Sequence, residues 1–156
     1  MGVVMLKPIS AIYDGKAELL NKQIAPTVDK FERGYLYALR LTNGYTKIGI
    51  SADPVLRMKS LKRGLRTTSV EFDKLWLSIA HINYKDNEKE ALAFLVDKKK
   101  DGEFFKVSFK DVLSVVKKLS VKTSYSITEI EEKEAKRVRF NNWLNDIHGL
   151  PRQQQN

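Results

Sequence analysis

Apolar and polar residues alternate in two stretches of the chain, a pattern typical of β-strands. In the first stretch, residues 34–51 (GYLYALRLTNGYTKIGIS), two apolar-rich runs flank Asn43-Gly44 and predict a β-hairpin. The second stretch, residues 70–79, predicts a third strand. A short extended piece is also predicted over EFFKVS, residues 103–108.

Helix signals lie between these predicted strands. After the hairpin, Asp53 is typical of a helix N-cap, Pro54 of the first helical position and Gly64 of the end. Acidic or hydroxyl-bearing residues at the start mark two further helices in the same way. The predicted helices span residues 53–64, 86–102 and 109–119.

The two ends of the chain carry weaker patterns. Residues 1–33 are interpreted as a helical lead-in, in which Pro26 interrupts any helix that starts near Lys16. In the tail, acidic residues precede basic ones between Thr128 and about Leu144, the order that a helix dipole favours. This predicts a peripheral helix and a frayed end. The predicted organisation is a lead-in (1–33), a small α/β (α+β) domain with a mixed or antiparallel sheet (34–120), and a C-terminal helix with its tail (121–156).

Charge is unevenly distributed along the chain. The net charge is +9, and residues 34–122 alone carry eighteen basic and ten acidic residues. A basic surplus confined to one domain indicates a polyanionic partner, most simply nucleic acid. The structural alternative is a basic surface that serves solubility alone.

Composition excludes several kinds of site and membrane insertion. The chain has no cysteine, so disulfides, thiolate zinc sites and cysteine nucleophiles are ruled out. It also has no glycine-rich phosphate loop, no G-x-S-x-G and no H-E-x-x-H motif. The apolar run in MGVVMLKPIS is too short for a signal peptide, and no stretch approaches the ~18 apolar residues of a membrane span. We expect a soluble, cytoplasmic protein. Of the two histidines, His81 is interpreted as a partly buried sheet residue and His148 as part of the tail.

The hairpin carries a spaced pair of motifs. YLY, residues 35–37, is followed ten residues later by KIG, residues 47–49, and Arg57 lies eight residues further on. This order resembles the GIY-YIG nuclease superfamily, in particular a branch common in phage and large-virus genomes in which KIG replaces YIG. Downstream, Glu88 is followed fourteen residues later by GEFF, residues 102–105, which resembles a signature of that branch.

The resemblance, which covers about residues 34–110, implies a metal-dependent endonuclease that hydrolyses DNA phosphodiester bonds. It implies 5′-phosphate and 3′-hydroxyl products and one bound Mg²⁺ or Mn²⁺, in a bacterial or virus-infected cell; RNA stays open as a partner. By position, Tyr37 matches the GIY tyrosine, Lys47 the residue usually occupied by the second tyrosine, Arg57 the family's arginine and Glu88 its metal-binding glutamate.

The residue types suit this chemistry independently of the resemblance. A tyrosine phenol titrates near 10, and a neighbouring ammonium from Lys47 would lower the pKa of Tyr37 enough to make it a base. Arg57 offers a planar fork suited to a phosphate. Glu88 supplies a hard oxygen for Mg²⁺, an ion that usually keeps several waters and few protein ligands.

Each candidate also has a structural explanation. Tyr37 could be an ordinary sheet aromatic, Lys47 a solvated edge charge and Arg57 part of a basic face. Glu88 is harder to explain this way, because it shares a helix face with the apolar residues at offsets 3, 4 and 7. A carboxylate on an apolar stripe requires a partner, so we prefer Glu88 to Glu90 as the metal ligand.

Three classes of function follow from these features. The leading hypothesis is the nuclease, with the basic helix after the hairpin tracking the nucleic-acid backbone. A catalytically weak or inactive nucleic-acid-binding module on the same fold is the alternative, favoured by Leu92 where the branch usually has histidine; Phe104 in place of tryptophan is a milder departure. A protein-interaction adaptor that uses the C-terminal helix is the third class. The residues expected to contact the backbone are Lys59, Lys62, Arg63 and Arg66.

The nuclease hypothesis also requires one register of the hairpin. A two-residue turn would place Tyr37 and Lys47 on opposite faces of the sheet, where they cannot cooperate. A three-residue loop, residues 42–44, pairs Tyr37 with Gly49 and places Tyr37 and Lys47 on one face. That loop needs a left-handed residue at its end, so we predict a positive φ for Gly44.

Overall fold

The structure, a computed structural model, describes residues 6–20 and 32–151. These fall into two units, residues 6–123 and a second one that includes residues 124–151. In chain order the elements are β1 (Lys7–Pro8), β2 (Ala11–Lys16), β3 (Tyr35–Leu41), β4 (Thr46–Ser51), α1 (Pro54–Gly64), β5 (Phe72–Ser78), α2 (Tyr84–Ala93), β6 (Lys100–Asp101), β7 (Phe104–Phe105), α3 (Phe109–Val116), β8 (Ser120–Val121) and α4 (Ile127–His148).

Six strands of the first unit form one antiparallel sheet in the order β2-β5-β3-β4-β7-β6. Strands β1 and β8 form a separate antiparallel pair. The helices α1, α2 and α3 accompany this sheet, which confirms the predicted α+β class and decides for an antiparallel rather than a mixed sheet. No helix in the described ranges is long and apolar enough to cross a membrane.

Strand β3 is the centre of the core because both of its faces are buried. Leu36 and Ala38 belong to a cluster with residues of α2 and α3, whereas Tyr37 and Leu39 belong to a second cluster that includes Met58 of α1. A central strand covered on both faces has little need for alternation, which explains the nearly continuous apolar run of this segment.

The register of the β3–β4 hairpin is the predicted one. Tyr37 pairs with Gly49, and Leu39 pairs with Lys47. The backbone N–H of Gly44 donates to the carbonyl of Leu41 at 2.9 Å, and Gly44 has a φ of +86°. The three-residue loop and its left-handed glycine are thereby confirmed, and Tyr37 and Lys47 share one face.

The predicted starts of α1 and α3 are also confirmed. The Oδ1 of Asp53 accepts a hydrogen bond from the backbone N–H of Leu56 at 3.2 Å, with Pro54 as the first helical residue. The Oγ of Ser108 accepts from the N–H of Asp111 at 3.1 Å. Each cap satisfies a backbone donor that the first turn leaves without an intrahelical partner.

Helix α4 confirms the predicted C-terminal helix and extends it. A capping box between Ser126 and Glu129 begins the helix one residue before the predicted start. It ends at His148, followed by Gly149 with a φ of +68°. The assignment of His148 to a frayed tail was therefore wrong, because this residue closes the last helical turn. Most of the PRQQQN end lies outside the described residues.

The helical lead-in was wrong where the structure describes it. Residues 11–16 form strand β2, which pairs with β5 at the edge of the large sheet, and Ala17–Leu19 form a 3₁₀ turn. The open edge of β5 offers backbone partners that no local pattern reveals. Strand β2 therefore belongs to the sheet of the predicted 34–120 domain. Pro26 lies outside the described residues.

The second predicted helix is shorter than expected. Helix α2 begins at Tyr84, before Asp86, and ends at Ala93, well before Gly102. Gly102 has a φ of +60° and lies between β6 and β7, so it serves a hairpin turn rather than a helix end. The N-cap residue is Asn83, whose side chain bonds to Ser120 and Lys122 instead of capping the helix.

Candidate functional site

The ring of Tyr37 lies across the neighbouring strand β4 at Gly49. The residue is fully buried on the face of β3 that packs with α1. A Cβ atom built on Gly49 would lie 2.5 Å from the Cζ atom of Tyr37, closer than any real contact. Only glycine at this position lets the phenol ring lie across β4, which gives the glycine of the KIG motif a physical purpose.

The hydroxyl of Tyr37 is buried and has no hydrogen-bond partner among the described residues. Burial raises the pKa of this phenol; the nearby guanidinium of Arg57 lowers it, and the carboxylates of Glu103 and Glu88 raise it again. The guanidinium is close enough to act on the phenol by a side-chain interaction and by its charge, although no hydrogen bond of good geometry joins the two. The net effect is a raised pKa, so Tyr37 is protonated at neutral pH.

Lys47 is paired with a residue that the motif analysis did not single out. Its side chain is only 7% exposed, and its Nζ donates a hydrogen bond of 2.6 Å to the Oε2 of Glu103. The same oxygen lies 3.9 Å from the Nη2 of Arg57. The hydrogen bond and charge of Lys47 are the main causes that lower the pKa of Glu103. One carboxylate oxygen therefore faces both cations.

The expected action of Lys47 on Tyr37 was wrong. The pKa of Tyr37 is raised rather than lowered, and the cation that acts on the phenol is Arg57. The register does place Lys47 on the face of Tyr37, but its ammonium bonds to Glu103, which neutralises the charge. Sharing a face is necessary for cooperation between two side chains and is not sufficient for it.

Glu88 faces this cluster from α2. The side chain is partly buried, and burial is the main cause that raises the pKa of its carboxyl, with Lys47 lowering it and Glu103 raising it. Glu90, the competing carboxylate, is exposed. Glu88 is therefore close enough to act electrostatically on Tyr37 and Lys47, and Tyr37 is the neighbour that it shares with Arg57.

A divalent cation is compatible with these carboxylates. No cluster of three or more histidine, aspartate or glutamate side chains occurs in residues 6–20 and 32–151. Mg²⁺, however, is commonly held by one or two carboxylates together with waters and substrate phosphate. Burial raises the pKa of Glu88, so a cation beside its carboxylate would favour the charged form, and Glu103 lies close enough to influence it. Glu88 is the residue that could hold such an ion.

Arg57 occupies an accessible position in the first turn of α1. Its side chain is 38% exposed and lines a surface cleft with Ser51 and Arg63. An open cleft beside the guanidinium gives a phosphate room to approach.

The structure divides the four predicted backbone-contacting residues into two groups. All four are exposed, but only Arg63 shares the cleft of Arg57. The other three line a separate groove on another side of α1, which also contains the acidic residues Glu18 and Glu71. These three are Lys59, Lys62 and Arg66.

Glu103 is the functional candidate that sequence reasoning missed. It lies within the GEFF motif, yet it received no role there. The available signal was Lys47: an ammonium on a buried sheet face needs a counter-charge. Leu92 of α2 stands where the branch has histidine, and its side chain packs against the hydrophobic core.

The comparison with protein families matches the segment that contains this site. The family model described as the T5orf172 domain covers residues 34–120, more than half of the chain. The chain belongs to the T5orf172 domain family. This is a phage-associated domain of the nuclease-like kind, which indicates a nuclease-like or nucleic-acid-binding role. No curated protein and no solved structure matches the chain. The five residues of the candidate site all lie within the matched T5orf172 segment: Tyr37, Lys47, Arg57, Glu88 and Glu103.

Proposed function

We propose that this T5orf172 domain is a metal-dependent endonuclease of the GIY-YIG type that hydrolyses DNA phosphodiester bonds. The observation that carries the proposal is the convergence of polar side chains from separate elements on the buried, unpartnered hydroxyl of Tyr37. A buried polar atom without a partner is costly in a purely structural role. A catalytic role explains why the fold retains it.

The two cations are suited to binding the scissile phosphate. Lys47 and Arg57 face the same oxygen of Glu103, and a phosphate oxygen in that place would meet the same two donors. Arg57 adds a planar fork that can bind two phosphate oxygens at once. Because the side chain of Glu103 is 64% exposed, it can withdraw into solvent when a phosphate arrives.

The proton chemistry is assigned to Tyr37. In its deprotonated form, a minor fraction at neutral pH that Arg57 stabilises, the phenolate oxygen accepts a proton from the water that attacks the phosphate opposite the leaving 3′ oxygen. The leaving 3′ oxygen takes up a proton from solvent. A divalent ion held by Glu88 would supply positive charge to the leaving oxygen. The products carry 5′-phosphate and 3′-hydroxyl ends.

A plasmid-nicking assay in Mg²⁺ or Mn²⁺ tests this function. We expect the wild-type chain to nick DNA and Glu88→Ala to abolish cleavage while DNA binding stays nearly intact. Glu90→Ala is the matched control, because it removes an exposed carboxylate from the same helix. Cleavage that survives in Glu88→Ala but is lost in Glu90→Ala would show that Glu90, and not Glu88, is the metal ligand. A wild-type chain that never cleaves would reject the nuclease.

A binding module without cleavage is the second candidate. It is favoured by Leu92, which leaves no histidine on that turn of α2. The same assay separates the two candidates, because a binding module shows salt-dependent DNA affinity and no metal-dependent nicking.

A further inference from the structure

A row of cations crosses the face of the sheet opposite Tyr37. Lys16 on β2 pairs directly with Lys74 on β5, and Lys74 pairs with Arg40 on β3. Arg40 and Lys74 alternate with the buried residues of the Tyr37 face, so their side chains belong to the other face. Three positive charges therefore stand side by side on adjacent strands.

Such a row is unfavourable for the folded chain by itself. Like charges directly opposite each other on neighbouring strands destabilise a sheet. Arg40 has an acidic partner in Asp73, whose Oδ2 lies 3.5 Å from its Nε, but both side chains are more than a third exposed. An exposed ion pair of this kind compensates little. The row therefore calls for an explanation outside the folding of the chain.

Helix α3 adds two cations beside this row. Lys110 and Lys117 are seven residues apart, which places them on one side of the helix. Together with Arg40 and Lys74 they line an open cleft of about 520 Å³, which we call the back cleft. Among the residues that the structure describes, Asp14 is the single acidic residue that lines it.

The spread of these charges fits an extended ligand better than a single anion. Lys16, which continues the row beyond the back cleft, is two strand spacings from Arg40, roughly 10 Å. Seven residues of helix separate Lys110 from Lys117, also roughly 10 Å. One phosphate ion cannot contact cations distributed in this way, whereas successive phosphates of a nucleic-acid backbone can.

We propose that the back cleft binds a second segment of nucleic acid through its phosphate backbone. None of the residues that line the back cleft belongs to the candidate active site or to the cleft beside Arg57, so a separate segment can occupy it. A chain with two such surfaces can hold two duplex segments at once. The proposal does not depend on cleavage, because it concerns binding at residues outside the catalytic cluster.

Binding stoichiometry without divalent ions tests the proposal. We expect the full chain to bind two copies of a duplex of about 12 base pairs, roughly 40 Å long. The double variant Lys110→Gln/Lys117→Gln should bind only one copy, and the salt dependence of its total binding should weaken by about two units of slope. Circular dichroism should show an unchanged fold, because both lysines are exposed.

The matched control removes the same charge elsewhere. Lys118 and Lys136 are exposed and do not line the back cleft. Lys118→Gln/Lys136→Gln should keep the stoichiometry of two. An equal loss in both double variants would mean that net charge alone is responsible and would overturn the proposal, as would a wild-type chain that binds a single duplex.

A single variant gives an independent reading. Lys74→Gln removes the middle cation of the row and should lower affinity for the second duplex. It should also raise the thermal midpoint, because the opposition of like charges is relieved. Unchanged affinity would contradict the proposal.

The two proposals fail separately. Two bound duplexes without any metal-dependent cleavage would reject the nuclease and keep the back cleft. Normal cleavage with a single bound duplex would reject the back-cleft proposal and keep the nuclease.

Discussion

The ammonium of Lys47 and the carboxylate of Glu103 form the tightest ion pair of the candidate site, at 2.6 Å. The partners differ in accessibility: the side chain of Lys47 is 7% exposed and that of Glu103 is 64% exposed. A nearly buried charge requires compensation, and here a carboxylate that can return to solvent provides it. We infer that Glu103 holds the position of the incoming phosphate and competes with it.

Removing this competitor should strengthen DNA binding. In Glu103→Gln a phosphate no longer displaces a charge from Lys47 and Arg57, so we expect the dissociation constant to fall roughly fivefold at low salt, about 1 kcal/mol. Fluorescence anisotropy without divalent ions measures it. Glu90→Gln removes an equal but exposed charge from α2 and should change affinity less. Equal gains in the two variants would indicate net charge rather than competition.

The glycine beneath the Tyr37 ring gives a second prediction. In Gly49→Ala the new methyl group would collide with the ring, so the phenol must move. We expect cleavage to be lost, DNA binding to remain and the free energy of unfolding to fall by about 1–3 kcal/mol. Gly64→Ala is the control: its Cβ meets nothing within 4 Å, and alanine suits a helix better than glycine. Full activity in Gly49→Ala would show that the position of the phenol is unimportant.

Local signals were sufficient for much of this fold. Gly44 specified the hairpin loop, and the caps at Asp53 and Ser108 specified helix starts, because each feature depends on neighbours in sequence. Strand β2 could not be predicted, since it depends on the distant edge of β5. The pairing of Lys47 with Glu103 joins residues 56 positions apart, so a buried Lys47 indicated the need for a counter-charge but not which carboxylate supplies it.

The division of the basic residues on α1 gives a third prediction. Arg63 shares the cleft of Arg57, whereas Lys62 lines the other groove. Arg63→Gln should therefore slow cleavage and lower the slope of the salt dependence of DNA binding by about one unit. Lys62→Gln should slow cleavage less. Nicking rates at several salt concentrations measure the difference. Identical effects would show that the two clefts contribute equally.

A buried histidine makes the stability of the domain depend on pH. His81 is fully buried; its Nδ1 lies 2.8 Å from the carbonyl of Ile79, and its Nε2 lies 3.1 Å from the Nδ2 of Asn87. The amide of Asn87 can only donate to Nε2, so the neutral ring carries its proton on Nδ1. Burial lowers the pKa of this imidazole, an effect that the bond to Ile79 partly offsets. The residue is more deeply buried than the sequence predicted.

The sign of this dependence follows from the lowered pKa. In the unfolded chain the His81 imidazole becomes protonated near pH 6.5, whereas in the folded chain it becomes protonated only at lower pH. Stability is therefore complete above pH 6.5 and falls as the pH drops towards the folded pKa, by up to ~1.4 kcal/mol per pH unit. Urea unfolding at pH 7.5 and 5.5 measures it. His148→Gln should leave the dependence unchanged and His81→Gln should remove it; a dependence that survives in His81→Gln would have another source.

The pH dependence of cleavage tests the role of Tyr37 most directly. Burial raises the pKa of the phenol, so only a minor fraction is phenolate at neutral pH and the rate should rise with pH above 7. Arg57 lowers this pKa and Glu103 raises it. Arg57→Lys weakens the interaction of the guanidinium with the phenol and should therefore move the rising limb of the pH–rate profile to higher pH. Glu103→Gln should move it to lower pH. Glu90→Gln should leave it in place.

These opposite shifts distinguish a phenolate base from a general effect of charge or folding. Loss of net positive charge alone would weaken DNA binding without moving the limb, and partial unfolding would lower the rate at every pH. Tyr37→Phe should remove the limb itself, because the ring then has no proton to release. A flat profile in the wild-type chain, or a limb that persists in Tyr37→Phe, would assign the base to another group and leave the buried phenol without a catalytic role.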